Sequence, residues 1–152
     1  MKVMDIGDLC YRIIGAAMRV QAVLGPGYLE EVYKNSMLVE LRSEGLKAEA
    51  EVNIPVDYRG VRAGNYKADI IVENQLILEL KAVSCLVAQH EAQLVNYLTA
   101  TRIDDGLLFN FGATSLQYKH KYRLYKSPKP SNPVNPVNPV QNPQHQELRN
   151  EA

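Results

Sequence analysis

Two apolar segments separated by three polar residues constrain the fold of this chain most strongly. The segments, residues 68–72 (ADIIV) and 76–81 (LILELK), flank the triplet Glu73-Asn74-Gln75. Short runs rich in Ile, Val and Leu on either side of a turn that contains Asn are typical of two antiparallel strands. The sequence therefore predicts a β-hairpin with a three-residue loop, in which Val72 pairs with Leu76 and Ile71 pairs with Ile77.

Three charged side chains interrupt this apolar hairpin. Because side chains alternate between the two faces of a strand, one face is expected to be entirely apolar; it would carry Ala68, Ile70, Val72, Leu76, Leu78 and Leu80. The other face then carries Asp69, Glu79 and Lys81, with Asp69 directly opposite Glu79. Charges on a buried sheet face are costly unless they are paired, bind a metal or line a cleft. The cluster therefore indicates a functional site.

The two facing carboxylates indicate a divalent cation. Carboxylates about 5 Å apart on paired strands repel each other, and a hard ion such as Mg²⁺ or Mn²⁺ relieves that repulsion. A lysine beside such an ion suits phosphodiester hydrolysis, in which the ion polarises the phosphate and activates a water while the ammonium group stabilises developing charge. Asp69, Glu79 and Lys81 are therefore the candidate catalytic residues.

The same residues resemble a known family. Asp69 followed by Glu79-Leu80-Lys81 is similar to the Asp…(Asp/Glu)-x-Lys core of the PD-(D/E)XK, or restriction-endonuclease-like, nucleases. The run from Gly27 to Tyr33 fits the pattern G-x-x-E-x-x-Y and resembles the bacterial GxxExxY proteins of that superfamily. The resemblance covers roughly residues 5 to 125, with Ala68 where the motif has Pro. It implies an α/β fold, a restriction-endonuclease-like core with a central mixed β-sheet flanked by helices.

The resemblance adds further candidate residues. Glu30 aligns with the motif glutamate and is expected near the metal, together with the backbone carbonyl of Leu80; the alternative for Glu30 is a carboxylate that favours the positive end of a helix dipole. Tyr33 lies three residues further on and on the same face, where it would orient the Glu30 carboxylate as part of the substrate-binding set or simply pack. Gln93 and Tyr97 are similar to the Gln-x-x-x-Tyr motif of RecB-like nucleases, which implies substrate binding. Their alternative is a capping Gln and a buried Tyr.

The remaining patterns divide the chain into a domain at residues 1–126 and a tail at residues 127–152. Helices are predicted at residues 6–24, 28–44 and 84–101, and further strands at 48–61, 106–112 and 116–125. Gly45 is expected to cap the second helix, and Pro55 indicates an edge or bulged strand. In the tail, Pro recurs at every third position through Asn-Pro-Val repeats, which predicts an extended, disordered segment.

Charge and hydropathy restrict the partners. Lys plus Arg and Asp plus Glu both number 17, so contact with nucleic acid must come from local patches. One such patch is the basic run at residues 119–126, interleaved with tyrosines, which suits nucleic-acid binding or is an ordinary solvated edge strand. No apolar run approaches the ~20 residues of a membrane span, and the first residues lack a signal-peptide core. A cytoplasmic protein without membrane contact is therefore expected.

These observations predict a metal-dependent nuclease, with DNA as the expected substrate. The alternative is a module of the same fold that binds nucleic acid or a protein without cleavage. A glycosidase with Glu30 and Glu79 as acid and base is a third hypothesis, disfavoured by Lys81 and by the absence of Trp. The sequence does not decide whether the substrate is DNA or RNA, whether it is single- or double-stranded, or whether cutting is internal or terminal. It identifies no protein partner and is compatible with a homo-oligomer.

Overall fold

A computed structural model describes residues 3–124, which form an α/β domain around one five-stranded sheet. The elements in chain order are α1 (Ile6–Leu24), α2 (Glu30–Ser43), β1 (Ala48–Tyr58), β2 (Val61–Val72), β3 (Leu76–Lys81), α3 (Ala88–Thr101), β4 (Asp105–Asn110) and β5 (Gln117–Tyr122). The predicted tail at residues 127–152 and the end of the last predicted strand lie outside the described residues.

The sheet is mixed, with strand order β1-β2-β3-β4-β5. All neighbouring strands are antiparallel except β3 and β4, which are parallel and are connected through α3, as parallel neighbours require. Helices α1 and α2 pack on one face and α3 packs on the other. The predicted central mixed sheet flanked by helices is therefore confirmed. No helix in the described range is long and apolar enough to cross a membrane.

Local signals set the ends of the first two helices. Helix α1 has the predicted bounds, and the side chain of Asp5 accepts a hydrogen bond from the Asp8 backbone N–H at 3.0 Å. Gly45 follows α2 with φ 80°, and the backbone N–H of Leu46 donates to the carbonyl of Leu41 at 3.1 Å. This is the glycine-dependent helix termination expected from the sequence.

The central hairpin has the predicted register and loop. Val72 pairs with Leu76 and Ile71 pairs with Ile77. Glu73 and Asn74 have φ of 55° and 56°, as the tight turns of β-hairpins require. Strand β1, which contains Pro55, is at the edge of the sheet, so the predicted edge position is also confirmed.

The alternation of faces breaks at Asp69, which corrects one prediction. Ala68 was expected on the face of Ile70, but it packs in the cluster beneath α3, whereas Ile70 packs against α1 and α2. On β1, Glu51 lies level with Asp69 between the pairs Ala50–Ile70 and Val52–Ala68 and has a left-handed φ of 53°. This kink turns the outer part of the β1–β2 hairpin (residues 52–68, the arm) towards α3.

Candidate active site

Asp69 and Glu79 are held together where β2 separates from β3. The backbone pairing of these strands runs from Val72–Leu76 to Ile70–Leu78. At the next position, the Asp69 N–H donates to Glu79 Oε1 at 3.0 Å, and the Leu80 N–H donates to Asp69 Oδ2 at 2.8 Å. The two carboxylates therefore take the place that backbone carbonyl acceptors have in a regular β-ladder. Each accepts a hydrogen bond from the opposite strand and so links β2 to β3 where the strands separate.

Burial disfavours the ionised form of both carboxylates. Glu79 is 4% exposed, and desolvation, followed by the charge of Asp69, raises its pKa to about 8. Desolvation also raises the pKa of Asp69, with a further contribution from the charge of Glu30. Asp69 is half-buried and Glu79 is buried, and two adjacent carboxylates that resist ionisation would gain from a cation between them.

Lys81 and two residues of α3, Gln93 and Tyr97, lie on the α3 side of the carboxylate pair. The ammonium Nζ of Lys81 is 3.5 Å from Oε1 of Gln93. Tyr97 is 7% exposed, and burial, followed by the charges of Glu79 and Asp69, raises its pKa to about 12. The spacing of four residues on α3 thus places Gln93 beside Lys81 and Tyr97 beside the carboxylate pair.

A small cavity opens towards α2. We call it the acidic cavity; its volume is about 350 Å³, and it is lined by Leu29, Glu30, Glu31, Lys34, Asp69 and Leu80. Glu30 is thus next to Asp69, as expected from its motif. Within residues 3–124, however, no three His, Cys, Asp or Glu side chains are close enough to hold a metal together. Glu30 is at the edge of the carboxylate pair and does not complete a three-carboxylate cluster.

A larger cavity opens towards α3. We call it the aromatic cavity; its volume is about 810 Å³, and its polar lining includes Tyr66, Lys81, Gln89, His90, Gln93, Asn96 and Tyr97. None of the described residues that line it is acidic. The carboxylate pair therefore lies between an acidic cavity and one without carboxylates.

Tyr33 has the position of a packing residue. It is completely buried, and its ring stacks on Phe111 with centroids 4.7 Å apart. Its hydroxyl donates to the carbonyl of Gly25 and accepts from the N–H of Tyr28. It therefore has no exposed surface for a substrate and instead fixes the loop that precedes Glu30.

The basic run on β5 is paired with acids wherever it is described. Lys121 is 2.9 Å and Lys119 is 3.6 Å from Glu91, and His120 is 2.9 Å from Asp105. These pairs match the alternative prediction of a solvated edge strand. The end of the run, residues 125 and 126, lies outside the described range.

Sequence reasoning missed Lys34, which lines the acidic cavity and forms an ion pair with Glu51. The hydrogen bond that Lys34 donates to Glu51 is the main cause that raises the pKa of Lys34, and the charge of Asp69 raises it further. Its spacing of four residues from Glu30 on one helix is a signal that could have identified it. Tyr66 was also missed, because only the kink turns it towards α3.

Comparison with known proteins agrees with this geometry. The sequence model of the PD-(D/E)XK nuclease superfamily matches residues 7–122. The chain therefore belongs to the PD-(D/E)XK nuclease superfamily, whose members generally use divalent metals. The crystal structure of a protein designated SSO0001 is similar over 63% of this chain and 50% of that one, with a TM-score of 0.49 and 16% identity. No curated protein sequence gave a significant match.

Proposed function

We propose that this protein hydrolyses phosphodiester bonds in nucleic acid, with DNA as the expected substrate, and that it needs Mg²⁺ or Mn²⁺. The observation that carries the proposal is the reciprocal hydrogen bonding of Asp69 and Glu79, which fixes a half-buried and a buried carboxylate beside Lys81. The residues follow the Asp…Glu-x-Lys order of the superfamily to which the chain belongs. The GxxExxY proteins are the branch that its Gly27–Tyr33 motif favours.

The donor set at this position fits a hard divalent cation. Asp69 and Glu79 would hold the ion, with the carbonyl of Leu80 as a further oxygen ligand and Glu30, which is too far away to complete a three-carboxylate cluster, acting through water. Both carboxylates have raised pKa values because desolvation and nearby negative charge disfavour their ionised forms, and a cation removes that penalty. When bound, the ion would supply a Lewis acid for the phosphate and lower the pKa of a water ligand.

The remaining residues act on substrate and water through their own polar groups. The Lys81 ammonium would orient the attacking water and stabilise negative charge that develops on the phosphate oxygens. Gln93, 3.5 Å from Lys81, would fix the direction of that ammonium and contact the scissile strand. The Tyr97 hydroxyl is protonated at neutral pH, as for any tyrosine, and its pKa is raised further to about 12. It would donate to a phosphate oxygen.

The test is cleavage of labelled DNA and RNA oligonucleotides with Mg²⁺, Mn²⁺ or EDTA. Glu79→Gln and Lys81→Ala should each abolish cutting and remain folded. Their metal binding should differ in a calorimetric titration, because Glu79→Gln removes charge that holds the ion, whereas Lys81→Ala removes a competing positive charge. Absence of cleavage by the wild-type protein, or normal cleavage by Lys81→Ala, would favour the binding module that does not cut.

A further inference from the structure

The aromatic cavity has the size and chemistry of a site for an unpaired base. Its volume of about 810 Å³ is that of a pocket for one small organic molecule. A base could enter such a space only after it leaves its neighbours in a stack. The cavity is continuous with the catalytic cluster, because Lys81 and Tyr97 belong to its lining.

Tyr66 supplies a stacking surface at the wall formed by the arm. Its side chain is 49% exposed although its ring centroid lies only 5.8 Å from that of the buried Tyr97. A Cβ atom on Gly64 would come 3.4 Å from the Tyr66 ring, so the ring lies closely over the backbone of its own strand. Tyr66 is thus supported on one side and accessible on another, as base stacking requires.

The wall formed by α3 supplies groups that suit base edges. Gln89, Gln93 and Asn96 line it, and each primary amide offers both a donor and an acceptor. His90 accepts a hydrogen bond from the Val87 N–H through Nδ1 at 3.2 Å, which leaves Nε2–H as the donor of the neutral ring. This wall therefore offers hydrogen bonds without fixed negative charge.

The aromatic cavity differs from the acidic cavity in the charge of its lining. The acid on α3, Glu91, pairs with Lys121 on β5 at 2.9 Å and does not line the cavity. Lys81 is a fixed positive charge in the lining, close to where a scissile phosphate would lie. The α2 side carries three carboxylates and one lysine, Lys34, whereas the α3 side carries Lys81 and, within the described part of the chain, no carboxylate. A polyanion is therefore disfavoured on the α2 side and favoured on the α3 side.

We infer that the substrate is single-stranded nucleic acid, and that a nucleotide next to the scissile phosphate places its base on Tyr66 in the aromatic cavity. This inference rests on the proposed nuclease function and names its substrate class. The kink at Glu51 and Asp69 makes this placement of the base possible, because it turns the arm towards α3 and so brings Tyr66 to the wall of the cavity. A duplex would be a substrate only at ends or internal sites where its two strands separate.

Fluorescence anisotropy with a labelled 12-nucleotide single-stranded DNA, its RNA equivalent and a hairpin duplex tests the inference in EDTA and in Ca²⁺. Tyr66→Ala should weaken single-strand binding roughly 5- to 150-fold, the range expected for one lost base stack. Tyr66→Phe should bind like the wild type, because it keeps the ring. Tyr58→Ala is the matched control, since Tyr58 is a 65% exposed tyrosine of the same arm outside the cavity.

Photocrosslinking of an iodouracil-substituted strand, followed by mass spectrometry, provides a second readout on the unaltered protein, and Tyr66 should be the modified residue. Unchanged single-strand binding by Tyr66→Ala, or tighter binding of the duplex, would overturn the inference. The nuclease proposal would survive that result if metal-dependent cleavage were still observed. Failure of every probe to bind, together with no cleavage, would overturn both.

Discussion

The two cavities beside the carboxylate pair differ in charge although one pair of strands separates them. The acidic cavity is lined by the carboxylates of Glu30, Glu31 and Asp69 and by one lysine, Lys34. The aromatic cavity is lined by Lys81 and by amide side chains, without a carboxylate among residues 3–124. On the proposed function, a cation would be favoured in the first and a phosphodiester in the second. The kinked hairpin would then keep these two charged partners apart and bring both to Asp69 and Glu79.

Among the substitutions that test this difference between the cavities, Glu79→Gln should have the largest effect on the free energy of unfolding in metal-free buffer. Burial raises the folded-state pKa of Glu79 from 4.5 to about 8, so its stabilising contribution is present at low pH and is lost as the pH rises towards 8. The glutamine, which has no charge to desolvate, should therefore gain stability over the wild type between pH 5 and 8. The gain should be about 3 kcal/mol at pH 7.

Urea denaturation of both proteins across this pH range measures the difference. Added Mg²⁺ should reverse the order, since only the wild type gains stability by binding the ion strongly. A stability difference that does not depend on pH would show that Glu79 is ionised in the folded protein.

The kink itself can be tested at Glu51, whose φ is 53°. Glycine adopts this conformation without strain, whereas a β-branched residue does not. Glu51→Val should therefore be less stable than Glu51→Gly by about 2 kcal/mol. Both variants lose the ion pair with Lys34, so that loss cancels in the comparison. Equal denaturation midpoints for the two variants would mean that the strand relaxes into regular pairing.

A smaller effect is expected from the acidic residues of α2. The charge of Glu30 raises the pKa of both Asp69 and Glu79, so Glu30→Gln should weaken Mn²⁺ binding about tenfold. Glu31→Gln is the matched control, because Glu31 lines the same cavity but is not among the groups that shift these two carboxylates. Calorimetric titration that finds equal losses would assign the effect to the net charge of the cavity alone.

The sequence predicted the sheet and the carboxylate pair well because strand parity is strict. The apolar residues on either side of Glu73-Asn74-Gln75 set the register of β2 and β3, and that register places Asp69 across from Glu79. The face of Ala68 was predicted wrongly because parity assumes an uninterrupted strand. Nothing in the local sequence around Glu51 indicates a left-handed residue, which the tertiary structure imposes.

The two cavities could not be predicted from the sequence, because they too depend on the tertiary structure. Their walls come from α2, α3 and the arm, which are distant in sequence and meet only after the arm turns. Gln93 and Tyr97 were found through their spacing, and Lys34 shares the same kind of spacing with Glu30 on α2. Tyr66 has no such signal, since its neighbour Tyr97 lies 31 positions away in the printed sequence.

Anomalous X-ray diffraction from crystals grown with Mn²⁺ would locate the cation relative to the two cavities. We expect an anomalous peak shared by the carboxylates of Asp69 and Glu79 on the side of the acidic cavity, and loss of that peak in Glu79→Gln. A peak inside the aromatic cavity, or Mn²⁺ bound elsewhere with none at the carboxylate pair, would contradict the separation of cation and substrate on which the account rests.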